Sequence, residues 1–410
     1  MKIKKIIFMF IFILFFVPVI VKAETPEITA FSGIVIDCID GRILYEKNSS
    51  ERIYPASMTK VLTAILVVEN CNMEDEVVIS KNAITQVELG YLTANIKEGE
   101  VLTIEQLLNL LLISSYNDVA NALAEHVGGS IDGFIVIMNN KAKEIGCTNT
   151  NFVNPNGAHN GQHYSTAYDM ALIGKYAMQY EEIRDIVDTI YYELGATNKY
   201  NAADRLYQTT NEMILSGSSN YYKYAKGIKT GFTTPAGNCL MSYAEKNDLP
   251  LVSVITKATT SDSRYSDTKQ ILEYAYENNE IKTIVEAGVT LQTANIKNAT
   301  KDTKKLRIIT ENEIIAVLNK TTEISSIEPK IELTSDLKAP IKKGEVLGKV
   351  IYEAQGKKYE TNLIAAENVE KTKLFLVFGL TFIGIILLIG GLRILELYSK
   401  TKRLNKIRGK

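Results

Sequence analysis

Two long apolar runs bracket a chain whose hydrophobic pattern changes period along its length. Ile6 to Ile20 is apolar, follows Lys2, Lys4 and Lys5, and leads into the small-residue stretch Val21-Lys22-Ala23. That order of charge, apolar run and cleavage site predicts a secretory leader over 1–23, with the mature chain starting near Glu24. From about Ala30 to Asn279, β-branched runs at Ile34-Val35-Ile36 and Leu251–Ile255 flank stretches of helical period. Those stretches are Val61–Val68, Ile104–Ile113, Val119–Val127 and Met170–Met178. Strands at both ends with helices between predict an α+β domain around a mostly antiparallel sheet. Val61–Val68 is apolar nearly all round, which predicts a central buried helix rather than a surface one.

From about Ile284 to Asn368 the alternation shortens. Leu306–Ile309, Ile314–Leu318 and Val346–Tyr352 read as strands, and Val350–Ala354, Gln355-Gly356 and Tyr359–Leu363 read as a hairpin. A small all-β domain is predicted here. Leu374–Leu392 then gives 19 residues without a charge. At about 1.5 Å per residue it spans roughly 30 Å, enough for a transmembrane helix. Lys371 and Lys373 precede it; Arg393, Lys400, Lys402, Arg403, Lys406, Arg408 and Lys410 follow, with Glu396 the only acid among them. The heavier positive load predicts that the C-terminus stays in the cytoplasm and the rest lies outside a bacterial cell membrane crossed once. The predicted order is leader 1–23, α+β domain 24–282, all-β domain 283–368, anchor 369–397 and basic tail 398–410.

Composition narrows the function. With 46% hydrophobic and 23% charged residues the chain is globular rather than disordered. A formal charge of -1 removes nucleic acid as a partner. Cys38, Cys71, Cys147 and Cys239 are scattered with no C-x-x-C pair, which argues against zinc and against a disulfide framework. Buried free thiols are expected, and no metal or other cofactor. Oligomeric state is not readable.

Three short motifs carry chemistry. Ser57-Met58-Thr59-Lys60 follows Pro55, which suits a helix start; residues three apart share a helix face, so the amine can approach the hydroxyl. Ser115-Tyr116-Asn117 lies between two helical stretches, where a serine and an asparagine two apart can face one cleft. Lys229-Thr230-Gly231 reads as a strand end whose glycine would let a substrate backbone lie close. Each is weak alone, because Ser, Asn, Lys and Gly are common turn and strand-end residues. Their conjunction is not: they occur in order at intervals of 58 and 114 residues, a triple associated with penicillin-binding proteins and class A β-lactamases.

On these residues the chain resembles the penicillin-binding D-alanyl-D-alanine carboxypeptidases, serine peptidases of the β-lactamase-like fold. The likeness extends to Leu111–Ser115, Asn117-Asp118, Ala124–Gly129 and Phe152–Gly157. It implies a peptidoglycan pentapeptide as substrate, β-lactams as covalent inhibitors, and Ser57 as the nucleophile acylated by the penultimate D-alanine. Lys60, Ser115, Asn117 and Lys229 are its implied partners, with Ser115 relaying the proton to the departing amine and Asn117 holding a carbonyl of the donor peptide. The backbone N–H groups of Ser57 and Phe232 are the implied oxyanion donors, while Thr230 and Arg264 would hold the terminal carboxylate. Departures include Tyr116 where many members have glycine, Ala158-His159-Asn160 after Gly157, and Thr256-Lys257-Ala258; of these, Tyr116 is expected to narrow the cleft.

A serine hydroxyl must lose its proton as it attacks. With only His126, His159 and His163 in the chain, a histidine base is poorly supplied, and a neutral lysine can take the role. Its pKa of about 10.4 must fall by about 3, roughly 4 kcal/mol, for half to be neutral near pH 7. Burial and a second cation both act in that direction. Lys60 is assigned as base and Lys229 as the cation. A β-lactamase needs its own deacylating carboxylate, and no Glu-x-x-Leu-Asn segment lies between the second and third motifs. Intact Ser57, Lys60, Ser115 and Lys229 speak against a non-catalytic penicillin sensor or wall-binding module that keeps the fold. An endopeptidase acting on cross-links uses the same chemistry. A zinc site on His159 and His163 is disfavoured by Asn160-Gly161 between them and the lack of an acidic third ligand.

Overall fold

The structure is a computed structural model that describes residues 24–200, 205–334, 336–372 and 374–409. The predicted leader, 1–23, lies outside the described residues. Two compact units are present: residues up to Ile281 with Val317–Thr321, and Lys282–Ala316 with Thr322 onward. The linear division expected from the sequence placed 283–368 in one domain; here Val317–Thr321 groups with the first unit, where the Val317 carbonyl accepts from Arg42 Nη1 at 3.3 Å.

The first unit is built on five antiparallel strands: β1 (Ser32–Asp37), β2 (Ile43–Lys47), β3 (Ala225–Thr233), β4 (Gly237–Lys246) and β5 (Leu249–Ala258). Their order is β2-β1-β5-β4-β3, so β3, which carries Lys229-Thr230-Gly231, is an edge strand. β1 is buried along its whole length, and its side chains alternate between two cores. Ile34 and Ile36 join one core with Val252, Val254 and Met241. Val35 joins the other with Leu251, Ile255 and Leu240.

The helices divide accordingly. On the first face lie α1 (Lys60–Asn70), α2 (Ile104–Ile113), α3 (Asn117–Gly128), α4 (Ile131–Ile145) and α5 (Ala167–Ala177), all contributing to the first core. α1 is buried from Lys60 to Val67, as its all-round apolar pattern predicts. Thr103 and Gln106 form a reciprocal capping box at the start of α2, satisfying two otherwise unpaired N–H groups. On the opposite face a single helix, α6 (Ser261–Asn278), packs Tyr265, Ile271, Leu272 and Ala275 into the second core. The four cysteines are free thiols, Cys147 and Cys239 buried, Cys38 and Cys71 half-buried.

The second unit is a five-stranded antiparallel sheet of β6 (Thr290–Asn295), β7 (Lys305–Thr310), β8 (Pro329–Leu333), β9 (Val346–Ala354) and β10 (Lys357–Ala365), in the order β6-β7-β10-β9-β8. The expected β9–β10 hairpin is closed by Gln355 and Gly356, both at positive φ (48° and 82°), the backbone that matches the twist of a two-residue hairpin. The last helix, α7 (Leu374–Arg408), runs 16 residues past the predicted end of the apolar segment. No proline interrupts Arg393–Arg408, its residues are mostly good helix formers, and Glu396 pairs with Lys400 one turn on at 3.3 Å. Phe378–Ile407 is long and apolar enough to cross a membrane, with a mean hydropathy of 2.2 over its most apolar window.

Asp267 of α6 ties down the segment that enters β1. Its carboxylate, 3% exposed, accepts from Ala30 N–H at 2.8 Å, Thr29 N–H at 3.2 Å and Thr29 Oγ1 at 3.0 Å. Asp267→Ala strands two backbone donors, so a loss of about 2–3 kcal/mol is expected in urea unfolding. A change under about 0.5 kcal/mol would show the tether to be dispensable.

Candidate active site

Ser57 lies in a single 3-10 turn, Ala56–Thr59, that runs directly into α1. The residue before it, Ala56, has φ of +48°, and Ser115 has φ of +69°. A left-handed backbone costs an L-residue on the order of 1–3 kcal/mol, so the surrounding packing holds both residues against their preference. Two glycines allow that packing. At Gly157 (φ +84°) a Cβ would stand 1.9 Å from the Ala56 carbonyl oxygen. At Gly231 it would stand 3.2 Å from the Pro55 carbonyl oxygen and 3.3 Å from the Ser57 nitrogen. The close approach that Gly231 permits is thus to the Ser57 turn itself, where the sequence suggested a substrate backbone. The end of β3, with Phe232, is thereby laid alongside the nucleophile.

Lys60 is fully buried, and its Nζ has three neighbours: Ser57 Oγ at 3.1 Å, Asn117 Oδ1 at 2.8 Å and the Asn156 carbonyl at 2.6 Å. Asn117 Nδ2 donates to the Leu92 carbonyl at 3.0 Å, which fixes the amide with its oxygen toward the lysine. Two of the three neighbours can therefore only accept, and only the Ser57 hydroxyl can give a proton. A neutral Lys60 spends two N–H groups on the carbonyl oxygens and turns its lone pair on the hydroxyl. Burial, first, and the positive charge of Lys229, second, hold Lys60 well below the usual ammonium range, with Asp118 opposing them.

Lys229 is also buried, at 1% exposure, and is pushed down to about 7 by burial and then by Arg264. Lys60 feels the charge of Lys229, whereas Lys60, once neutral, exerts none in return. The pair therefore separates into an amine beside the hydroxyl and a cation deeper on β3.

These groups border a cleft of about 540 Å³ lined by Ser57, Ser115, Asn117, Thr230, Phe232 and Arg264, among others. All the predicted site residues except Lys60 and Lys229 line it, and those two lie buried behind it. Thr210 was not found from sequence. Its Oγ1 lies 2.7 Å from Thr230 Oγ1, and its carbonyl accepts from Tyr265 O–H at 3.2 Å. Arg264 Nη2 in turn donates to Tyr265 Oη at 2.9 Å, so hydroxyls and a cation gather at one end of the cleft, suited to a carboxylate. The Asn156 carbonyl was missed as well, because a backbone acceptor leaves no mark in residue type.

Tyr116 does not narrow the cleft. Its ring packs edge-on against Tyr207 at 5.5 Å, and it is not among the lining residues. His163 is no base for Ser57 and no metal ligand: Nδ1 accepts from Val153 N–H at 3.1 Å, leaving Nε2–H for Thr59 Oγ1 at 2.8 Å. Burial holds its pKa down to about 3, so it stays neutral.

The sequence pattern described as D-alanyl-D-alanine carboxypeptidase matches residues 20–260, and that of the penicillin-binding protein 5 C-terminal domain matches 280–371. The chain is 32% identical over 359 residues to D-alanyl-D-alanine carboxypeptidase DacF of Bacillus subtilis (strain 168), covering 85% of this chain and 88% of that one. It is 31% identical over 365 residues to D-alanyl-D-alanine carboxypeptidase DacC of Escherichia coli (strain K12), covering 86% and 87%. Among solved structures, penicillin binding protein 5 from Haemophilus influenzae superposes with a TM-score of 0.69 at 27% identity, over 85% of this chain and 99% of that one.

Asp118 gives the site its testable electrostatics. The carboxylate, 1% exposed, accepts from Ala94 N–H at 3.0 Å and from Val119 N–H at 3.0 Å, and it supports the positive form of Lys60. Asp118→Asn keeps an acceptor and removes the charge, so Lys60 should hold a proton less readily. The acid limb of the pH profile for acylation by a fluorescent penicillin should then move down by on the order of one pH unit. An unmoved limb in a folded variant would mean that Lys60 does not control it.

Proposed function

The chain belongs to the D-alanyl-D-alanine carboxypeptidase family, and on that premise we propose that it removes the terminal D-alanine from peptidoglycan pentapeptides through an acyl-enzyme on Ser57. The observation that carries this reading is the Lys60 amine, set between two fixed acceptors 3.1 Å from the Ser57 hydroxyl. The substrate's terminal carboxylate sits with Thr210, Thr230 and Arg264, and the charge of Lys229 lies behind them. Lys60 takes the Ser57 proton as Oγ attacks the penultimate D-alanine carbonyl. The oxyanion forms beside the N–H groups of Ser57 and Phe232, donors already in place before charge develops. Ser115 relays to the departing nitrogen the proton that Lys60 took from Ser57, D-alanine leaves, and Lys60 is neutral again. Water, deprotonated by Lys60, then attacks the ester, and that proton passes to Ser57 Oγ as the shortened peptide is released. Asn117 orients Lys60 through Oδ1, and its second amide N–H is the one left for a donor carbonyl.

The apolar helix fits a membrane anchor, as the family's penicillin-binding members suggest. The basic residues of its C-terminal part favour a cytoplasmic end, with the catalytic unit outside. In chain order the all-β unit separates enzyme from anchor, and we assign it the role of a spacer.

Release of free D-alanine from a peptide ending in D-Ala-D-Ala tests the activity. Ser57→Ala should lower it by more than about 10⁴-fold and abolish covalent labelling by penicillin; a variant that still labels would place the nucleophile elsewhere. Arg264→Gln should raise KM by about tenfold to a hundredfold through loss of a charged hydrogen bond. Because burial first and Arg264 second push Lys229 down to about 7, the same variant should move the alkaline limb of the acylation profile upward. A raised KM with a fixed limb would separate Arg264 from Lys229.

A further inference from the structure

The turn that holds Ser115 is fastened to a hairpin that no sequence motif marks. Its strands, Tyr191–Leu194 and Arg205–Gln208, are antiparallel, with Tyr192 opposite Tyr207. Side chains alternate between its two faces. Tyr191 and Leu206 point outward at 57% and 65% exposure, while Tyr192, Leu194 and Tyr207 pack on the first core. From Gln208 the chain runs through Thr209 to Thr210, whose hydroxyl lies in the cluster proposed to hold the substrate's terminal carboxylate.

Turn and hairpin meet in antiparallel order. Thr210 N–H donates to the Ile113 carbonyl at 3.1 Å, and Ser114 Oγ donates to the Gln208 carbonyl at 3.4 Å. The Tyr116 and Tyr207 rings close the other end, edge to face, with centroids 5.5 Å apart. Ser115 sits between these ties with φ of +69°, a backbone that an L-residue keeps only where its surroundings enforce it. Ser115 and Thr210 both line the cleft, whereas Tyr116 and Tyr207 do not. A change in either ring therefore reaches the substrate through those two residues rather than by touching it.

We propose that Tyr116 is a positioning residue for the leaving-group end of the site: its ring, braced against Tyr207, sets the spacing between the Ser115 and Thr210 hydroxyls. The terminal D-alanine offers one fixed span, from its amide nitrogen through Cα to its carboxylate. The nitrogen must meet Ser115 while the carboxylate rests at Thr210, so that spacing decides how well the terminal residue is held. An edge-to-face ring pair has a preferred distance and angle, which suits it to fix a spacing rather than merely fill space.

The inference rests on the acyl-enzyme reading above, and the test keeps the two apart. The full chain in detergent is assayed for D-alanine release from a peptide ending in D-Ala-D-Ala. Rates are normalised to the sites that a fluorescent penicillin labels, so unfolded protein does not count. Tyr116→Ala should raise KM about threefold to tenfold, the scale of one aromatic pair, with kcat per labelled site falling by less. Tyr207→Ala should do the same, and the double variant should be no worse than either single one, because both remove one contact. Phe at either position keeps the ring pair and should hold KM within about twofold of wild type. An unchanged KM in Tyr116→Ala, losses that multiply in the double variant, or a Phe variant as poor as the Ala variant would each overturn the inference. A wild type that labels but frees no D-alanine would overturn the carboxypeptidase reading instead. The same pattern is then read in the second-order rate of penicillin labelling, since the carboxylate of penicillin would use the same cluster, and equal rates across the variants would overturn the inference too.

Discussion

Two lysine amines buried in one crevice cannot both keep a proton cheaply, and the arrangement of the site follows from that constraint. Desolvating one ammonium costs several kcal/mol, and a second nearby charge adds to the cost. The protein relieves it asymmetrically. Lys60 is placed among two carbonyl oxygens and one hydroxyl, an environment that a neutral amine satisfies completely. Among the described residues Lys229 Nζ donates one hydrogen bond, to the Thr230 carbonyl at 3.2 Å, so it is the one for which a bound carboxylate at Thr230 and Arg264 would restore the positive form. On the proposed mechanism, substrate binding and activation of the nucleophile would therefore be electrostatically linked. The carboxylate would hold a charge on Lys229, and that charge favours the neutral form of Lys60.

Geometry enforces the separation through elements distant in sequence. α1 presents Lys60, the start of α3 presents Asn117, and the Asn154–Gly157 segment presents the third partner. Asn154 Oδ1 accepts from Gly157 N–H at 2.7 Å, and Thr63 of α1 donates to the Pro155 carbonyl at 2.6 Å, which locks that segment to the helix. On the other side Asn117 and Asp118 grip the strip around Leu92 and Ala94 from successive positions. The lysine is held by a closed ring of contacts, so changing one member alters the orientation of the next.

Much of this was legible in the sequence, and the remainder was hidden for identifiable reasons. The all-round apolar pattern of Val61–Val68 announced a buried helix, and the period-two runs announced the β unit, because side-chain burial is what periodicity records. The Ser57, Ser115 and Lys229 motifs were visible as residue types at fixed spacing. What escaped was carried by backbone or by fold. The Asn156 carbonyl has no side-chain signature, and positive φ at Ala56 and Ser115 is invisible in residues that normally avoid it. Thr210 joins this cluster only when α6 and β3 bring Tyr265 and Thr230 to it. Gly231 was noticed as a cleft residue, but only the fold shows that it also lies against Pro55 and Ser57. α7 was read as ending at Leu392, where the apolar run stops, although nothing in the following residues ends a helix.

The same geometry accounts for why a penicillin should trap such an enzyme while a peptide passes through. On the proposed mechanism, attack by Ser57 on either carbonyl would make the same ester beside the same N–H groups. With the peptide, the broken C–N bond frees an amino acid, and its departure from the Thr210, Thr230 and Arg264 end opens a path for water. With a bicyclic lactam the expelled nitrogen remains covalently tied to the acyl group, and its carboxylate remains on that same cluster. A nitrogen held there would deny water its position opposite Lys60, and the amine would have no water to deprotonate. On that mechanism release would be slow, because the leaving group stays tethered. A site that deacylated such an adduct quickly would need a second base reaching the ester from another side. Among the described residues, the groups lining the cleft include no carboxylate that could supply one.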